Sequence, residues 1–99
     1  TETELYEIFN QFVEREKFVL GQDTKDIIID YFKSCLKNKD KTFSNGRLAR
    51  NLFEKIKFEQ ASRVKREKSS NLDLITGEDI INVINSIKVK NIKRIGFTA

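Results

Sequence analysis

The apolar residues of this chain recur at helical spacing in four stretches, and each stretch predicts one amphipathic helix. Thr3 is the predicted N-cap of the first helix, which should end near Lys17, and Asp23 or Thr24 is the predicted N-cap of the second. The buried stripe of the first helix is formed by Leu5, Ile8, Phe9, Phe12 and Val13. The stripe of the second is formed by Ile27, Ile28, Tyr31, Phe32, Cys35 and Leu36.

The third helix has the clearest predicted start, because Ser44 is a good N-cap and Phe43 and Leu48 have the spacing of a hydrophobic staple. No helix breaker follows before about Lys68, so we expect one long helix. Its predicted stripe consists of Leu48, Ala49, Leu52, Phe53, Ile56, Gln60, Ala61 and Val64.

The fourth helix is predicted to begin after an N-cap at Thr76, with Ile75 and Ile80 as a second staple. Two short β-prone runs, at 18–20 and 72–75, precede the second and fourth helices and can pair with each other. The predicted fold is therefore mainly α, an orthogonal four-helix bundle with a small two-stranded β clip. The predicted buried face of the fourth helix consists of Ile80, Ile81, Val83, Ile84 and Ile87.

The composition limits the classes of function. The 99 residues are enough for one small domain with one core. The chain has no histidine and a single cysteine, Cys35, so histidine-dependent metal sites and catalytic triads are excluded, and we interpret Cys35 as a small apolar residue. No stretch has the length of a membrane span and no signal peptide opens the chain, so we expect no membrane contact and a cytoplasmic location.

The start of the third helix departs from the charge pattern of the others. With Ser44 as cap, Arg47 and Arg50 stand at the positive end of the helix dipole, where cations are unfavourable. Free backbone N–H groups at Asn45, Gly46 and Arg47, together with an arginine fork, would bind a phosphate. The alternative from spacing alone is that both arginines pair with carboxylates of neighbouring elements.

The same stretch resembles a known family. Residues 43–55, F-S-N-G-R-L-A-R-N-L-F-E-K, followed by Q-A-S-R-V at 60–64, are similar to the lid of AAA+ ATPases. The closest group is the stage V sporulation protein K family, which includes the red-type Rubisco activases. The segments L-I-T-G-E-D-I at 74–80 and K-R-I-G-F at 93–97 also resemble this family.

The resemblance implies a role for each matching residue. Arg47 matches the position called sensor 2, which contacts the γ-phosphate of ATP, and Asn45 and Gly46 match the turn that sets it. Arg50 is a second candidate for the phosphate contact. Arg63 and Gln60 match family positions too, and we expect Gln60 to hold backbone in place rather than to touch a ligand.

The resemblance also implies what lies outside this chain. The sequence has no G-x-x-x-x-G-K-[ST] motif and no apolar run ending in Asp-Glu, so we expect no catalytic residue and no metal ligand here. ATP, with its Mg²⁺, would be bound by an upstream large subdomain, in a hexameric ring whose neighbouring subunits act on a protein substrate. Residues 1–87 would form the lid and residues 88–99 a basic C-terminal tail.

Two other functions remain as alternatives. A small helical nucleic-acid-binding module is the first, although acidic residues are scattered through every predicted helix, so we expect no nucleic-acid partner. A structural interaction domain without a nucleotide role is the second. The basic residues that would serve the nucleic-acid module are Arg63, Lys65, Arg66, Lys68, Lys88, Lys90, Lys93 and Arg94.

Overall fold

The described part of the chain contains four helices and two short strands, in the predicted order. The computed structural model describes residues 1–37, 45–68 and 71–96. The elements are α1 (Glu2–Arg15), β1 (Val19–Leu20), α2 (Thr24–Lys37), α3 (Asn45–Glu67), β2 (Leu74–Ile75) and α4 (Gly77–Gly96). Helix α1 packs against α2 and α3, and α4 packs against α3 and α2. The predicted mainly α bundle with a β clip is confirmed.

Helix α1 begins with a capping box formed by Thr1 and Glu4. The backbone N–H of Glu4 donates to Thr1 Oγ1 at 3.2 Å, and the Glu4 carboxylate accepts from the Thr1 backbone nitrogen at 3.1 Å. The predicted cap at Thr3 is therefore wrong, because the turn begins two residues earlier and Thr3 lies inside the helix. The helix ends at Arg15, and Lys17 adopts a left-handed φ of 62° that stops it from continuing.

The core is built around a cluster of phenylalanine rings. Phe53 of α3 lies at its centre, with its ring centroid 5.9 Å from those of Phe9 and Phe12 and 6.1 Å from that of Phe18. Phe32 of α2 meets Phe9 edge to face at 6.2 Å. Such pairs add to the stabilisation from burial, so the aromatic cluster joins the first three helices.

Strands β1 and β2 pair in parallel, with Val19 opposite Leu74 and Leu20 opposite Ile75. The backbone N–H of Gly21 donates to the Ile75 carbonyl at 2.8 Å. A Cβ at position 21 would lie 3.2 Å from that carbonyl oxygen, so the close approach of the two strands favours glycine. The clip therefore fastens the segment between α1 and α2 to the segment that enters α4.

The start of α4 has the predicted geometry. Thr76 Oγ1 accepts the backbone N–H of Asp79 at 3.2 Å, and Asp79 Oδ2 accepts the backbone N–H of Thr76 at 3.0 Å. This is a capping box with aspartate in place of glutamate. Ile75 and Ile80, the two predicted staple residues, are both fully buried.

Two residues of the predicted stripes are exposed in the structure. Ala61 is exposed and Ile81 is 45 % exposed, because the buried side of α3 turns onto Gln60 and Arg63 and that of α4 onto Val83. Helix α4 also continues to Gly96, so the segment from Lys88 to Gly96 extends the helix. The division at residues 87 and 88 stays a prediction.

Candidate functional site

The predicted site residues open helix α3. Asn45, Gly46 and Arg47 are its first three residues, and Arg50 follows one turn later. Residues three apart on a helix lie on the same face, so the two arginines are neighbours. The predicted N-cap, Ser44, lies outside the described residues, and so does Phe43, the predicted staple partner of Leu48.

A surface depression of about 490 Å³ lies at this end of α3. Gly46, Arg47 and Arg50 line it together with Phe12 of α1 and Asn51 of α3. Three of the four predicted residues therefore come together at one place, and the structure adds Phe12 and Asn51. Asn51 follows Arg50 in the motif and its helical spacing from Arg47 could have indicated it, whereas Phe12 carries no signal beyond its place in the apolar stripe.

The charge distribution makes this end of α3 positive. The first turns of α1 and α4 carry Glu2, Glu4, Glu78 and Asp79, and that of α2 carries Asp26, but the first turn of α3 has no acidic residue. The side chains of Arg47 and Arg50 are both exposed. Within residues 1–37, 45–68 and 71–96, no carboxylate pairs with Arg50. The depression is therefore suited to an anion.

Gly46 leaves open space beside the arginines. Apart from its chain neighbours and the backbone of its own helix, a Cβ at this position would meet no atom of the described residues within 4 Å. Its φ is not in the left-handed region, so the backbone conformation does not require glycine either. Neither packing nor backbone conformation within the described residues therefore requires glycine at this position, and the missing side chain leaves room for a bound group to approach.

The side of the depression formed by α1 is fixed by the core. The Phe12 ring stacks on Phe53 at a centroid distance of 5.9 Å and an interplanar angle of 20°. The Arg15 guanidinium lies 5.6 Å from the centroid of the Phe12 ring and adds a third positive charge nearby. The aromatic cluster therefore supports the surface on which Arg47 and Arg50 stand.

Gln60 performs the structural task predicted for it. Its Nε2 donates to the backbone carbonyls of Leu72 at 2.8 Å and Leu74 at 3.1 Å. The side chain is buried, and its two hydrogen bonds hold one carbonyl of β2 and one carbonyl just before it. The prediction that Gln60 holds backbone is confirmed.

Arg63 is a buried structural residue. Its Nε donates to Asp79 Oδ1 at 2.8 Å, and its Nη2 donates to the Leu74 carbonyl at 3.0 Å. The hydrogen bond to Asp79 raises the pKa of the Arg63 guanidinium. The placement of Arg63 on a nucleic-acid-binding surface with Lys65, Arg66 and Lys68 is wrong, because its charge is directed into the domain.

Phe58 lies outside the core and is 77 % exposed. It borders a second depression of about 610 Å³ between α3 and α4, together with Glu54 and Glu59. An exposed aromatic ring beside carboxylates is a poor surface for a phosphate backbone, so Phe58 does not favour a nucleic-acid interface.

Three other features of the described residues bear on function: the thiol of Cys35, the grouping of metal-ligating side chains and the length and apolarity of the helices. Burial raises the pKa of the half-buried Cys35 thiol, which suits a packing residue better than a nucleophile. Among the described residues, no group of three carboxylate or thiol side chains could hold a metal ion. No helix in this part of the chain is long and apolar enough to cross a membrane.

Comparison with known proteins places these features in a family context. A family model described as the AAA lid domain matches residues 1–90. The match includes α1, α2 and α3, most of α4 and every residue of the candidate site. No curated protein matches the chain.

Proposed function

The chain belongs to the AAA lid domain family, and we propose that it closes over ATP bound to the large subdomain of its parent ATPase and contacts the γ-phosphate through Arg47. Membership of this family makes the chain part of an AAA+ ATPase, in which a lid works with a large subdomain and an oligomeric ring. The γ-phosphate contact is the step for which the structure offers a candidate site.

The observation that carries the proposal is the meeting of Gly46, Arg47 and Arg50 at one depression. A terminal phosphate needs cations, hydrogen-bond donors and room for close approach. The two guanidinium groups provide the charge, the first turn of α3 provides N–H donors, and Gly46 provides the room. Asn45, as the first residue of α3, belongs to the same turn.

ATP supplies the hydrolysable γ-phosphoryl group, and its Mg²⁺ would be held by carboxylates of the large subdomain. In the closed state the Arg47 guanidinium donates charge-assisted hydrogen bonds to a phosphate oxygen, while Arg50 strengthens the local positive potential or makes a second contact. After hydrolysis Arg47 loses this acceptor. The lid is then released and changes its angle to the large subdomain. Nucleotide switches work in the same way, because the γ-phosphate holds an element that hydrolysis releases.

We further infer that the parent belongs to the stage V sporulation protein K group, which includes the red-type Rubisco activases. The supporting feature is the motif at residues 43–64, whose asparagine, glycine and two arginines open the long lid helix. In such a parent, lid rotation would be passed to neighbouring subunits of a hexamer in the cytoplasm and would remodel a protein substrate.

Substitution of Arg47 in the full-length ATPase tests the proposal. Arg47→Ala is expected to weaken ATP binding and reduce ATP turnover, and Arg50→Ala shows whether the second arginine shares the contact. Arg66→Ala is the matched control, because Arg66 is an exposed arginine at the far end of the same helix. Turnover and nucleotide affinity that stay at the wild-type level in Arg47→Ala would reject the proposed function.

A further inference from the structure

A buried polar cluster occupies the end of α3 opposite to Arg47. We call Gln60, Arg63 and Asp79 the clasp. Gln60 donates to the carbonyls of Leu72 and Leu74, and Arg63 donates to the Leu74 carbonyl at 3.0 Å and to the Asp79 carboxylate at 2.8 Å. Asp79 is fully buried and Arg63 is 7 % exposed. Among the described residues, no buried side-chain polar atom lacks a hydrogen-bond partner.

The clasp connects α3 to two other elements by directional bonds. One oxygen of Asp79 accepts from Arg63, and the other accepts the Thr76 backbone N–H at the start of α4. Strand β2 is in turn paired with β1, which follows α1. The direction of α3 is therefore fixed at this end relative to α4 and the clip.

A buried ion pair of this kind is poorly explained by stability alone. Apolar residues of similar volume often stabilise a domain as well or better, because the desolvation of two charges offsets their attraction. The planar guanidinium of Arg63, however, holds a carbonyl and a carboxylate in one fixed geometry, which lysine cannot reproduce. Such a side chain contributes more to the relative orientation of the elements that it joins than to the free energy of unfolding.

We propose that Arg63 is a positioning residue for Arg47, which it influences through the rigid body of α3. This inference rests on the proposed function. The two residues are 16 positions apart in one uninterrupted helix, or roughly 24 Å at ~1.5 Å per residue. A tilt of ~5° at the clasp would displace the other end of α3 by roughly 2 Å, which exceeds the tolerance of a hydrogen bond.

The test is a double-mutant cycle on the full-length ATPase, read as the ratio of the ADP and ATP dissociation constants. Arg63→Lys keeps the charge and removes the fork. It is expected to lower the preference for ATP by about 10-fold, because a displaced Arg47 loses most of its charge-assisted hydrogen bond to the γ-phosphate. In the Arg47→Ala background the same change is expected to have no further effect, because the contact that Arg63 positions is already absent. Arg66→Lys is the matched control and should leave the ratio unchanged.

A general loss of structure would lower the ratio equally in both backgrounds, and that result would overturn the inference. A wild-type ratio in Arg63→Lys, with Arg47→Ala clearly impaired, would overturn it while leaving the proposed function intact. A wild-type ratio in Arg47→Ala would reject the proposed function, and the inference with it. If Arg63→Lys melts below the assay temperature, the double variant Arg63→Met/Asp79→Ala, which removes the fork and leaves no unpaired charge in the interior, takes its place in the cycle with the same expected results.

Discussion

Asp79 is completely buried, and each of its carboxylate oxygens has a hydrogen-bond partner. Asp79→Ala removes the buried counter-ion of Arg63 and the side-chain acceptor of the Thr76 backbone N–H in one step. The guanidinium, which is 7 % exposed, loses its carboxylate at 2.8 Å and keeps only the half-exposed Glu67 carboxylate, 3.4 Å from Nη1. This variant is expected to be strongly destabilised.

The expected magnitude follows from these two losses. Removal of one partner from a buried ion pair costs about 3–5 kcal/mol, and the lost bond at the helix cap costs about 0.5–1.5 kcal/mol more. Together they lower the free energy of unfolding by roughly 3.5–6.5 kcal/mol. Since domains of this size have a total stability of about 5–15 kcal/mol, Asp79→Ala should be partly unfolded or should melt well below the wild type.

Urea denaturation of the 99-residue chain, followed by far-UV circular dichroism, measures this loss. The double variant Arg63→Met/Asp79→Ala is expected to be more stable than Asp79→Ala alone, because it leaves no unpaired charge in the interior. Lys57→Met is the control, since it breaks only partly exposed ion pairs, with Glu16 at 2.9 Å and Glu54 at 3.3 Å, and should cost about 1 kcal/mol. A loss below about 1 kcal/mol in Asp79→Ala, or a double variant less stable than that single variant, would refute the reasoning.

Two further substitutions separate the stability of the lid from its function. Gly46→Ala should raise the free energy of unfolding by about 0.5–1 kcal/mol, because within the described residues the added Cβ has open space in a helical turn. The same variant should weaken ATP binding in the full-length protein, and unchanged or tighter binding would remove Gly46 from the site. Phe53→Ala empties the centre of the aromatic cluster and should cost about 3–5 kcal/mol in the same denaturation assay, so a loss below about 2 kcal/mol would show that the cluster does not organise the core.

The fold was largely predictable because apolar spacing reports which side of a helix is buried. The stripes of α1 and α2 and the N-cap at Thr76 required only local patterns. Ala61 and Ile81 were misplaced because the rule counts apolar residues and does not anticipate that Arg63 is buried by an ion pair. That pair links residues 16 positions apart, which local periodicity cannot reveal.

The candidate site was predictable in part for a similar reason. Gly46, Arg47 and Arg50 are close in sequence, so the helical rise alone brings them together. Phe12 comes from another helix, and its place beside them depends on its stacking against Phe53. The proposed function of the site depends on a contact with ATP and the large subdomain. The sequence indicates that contact only through the family resemblance of residues 43–64.

The most direct test of the central claim is the ratio of the ADP and ATP dissociation constants of the full-length ATPase, compared between the wild type, Arg47→Ala and the control Arg66→Ala. A charge-assisted contact to the γ-phosphate contributes about 1.5–3 kcal/mol, so Arg47→Ala should lower the preference for ATP by about 10- to 100-fold. Its affinity for ADP should stay near the wild-type value, and Arg66→Ala should match the wild type for both nucleotides. Equal ratios in Arg47→Ala and the wild type would contradict the claim that Arg47 senses the γ-phosphate.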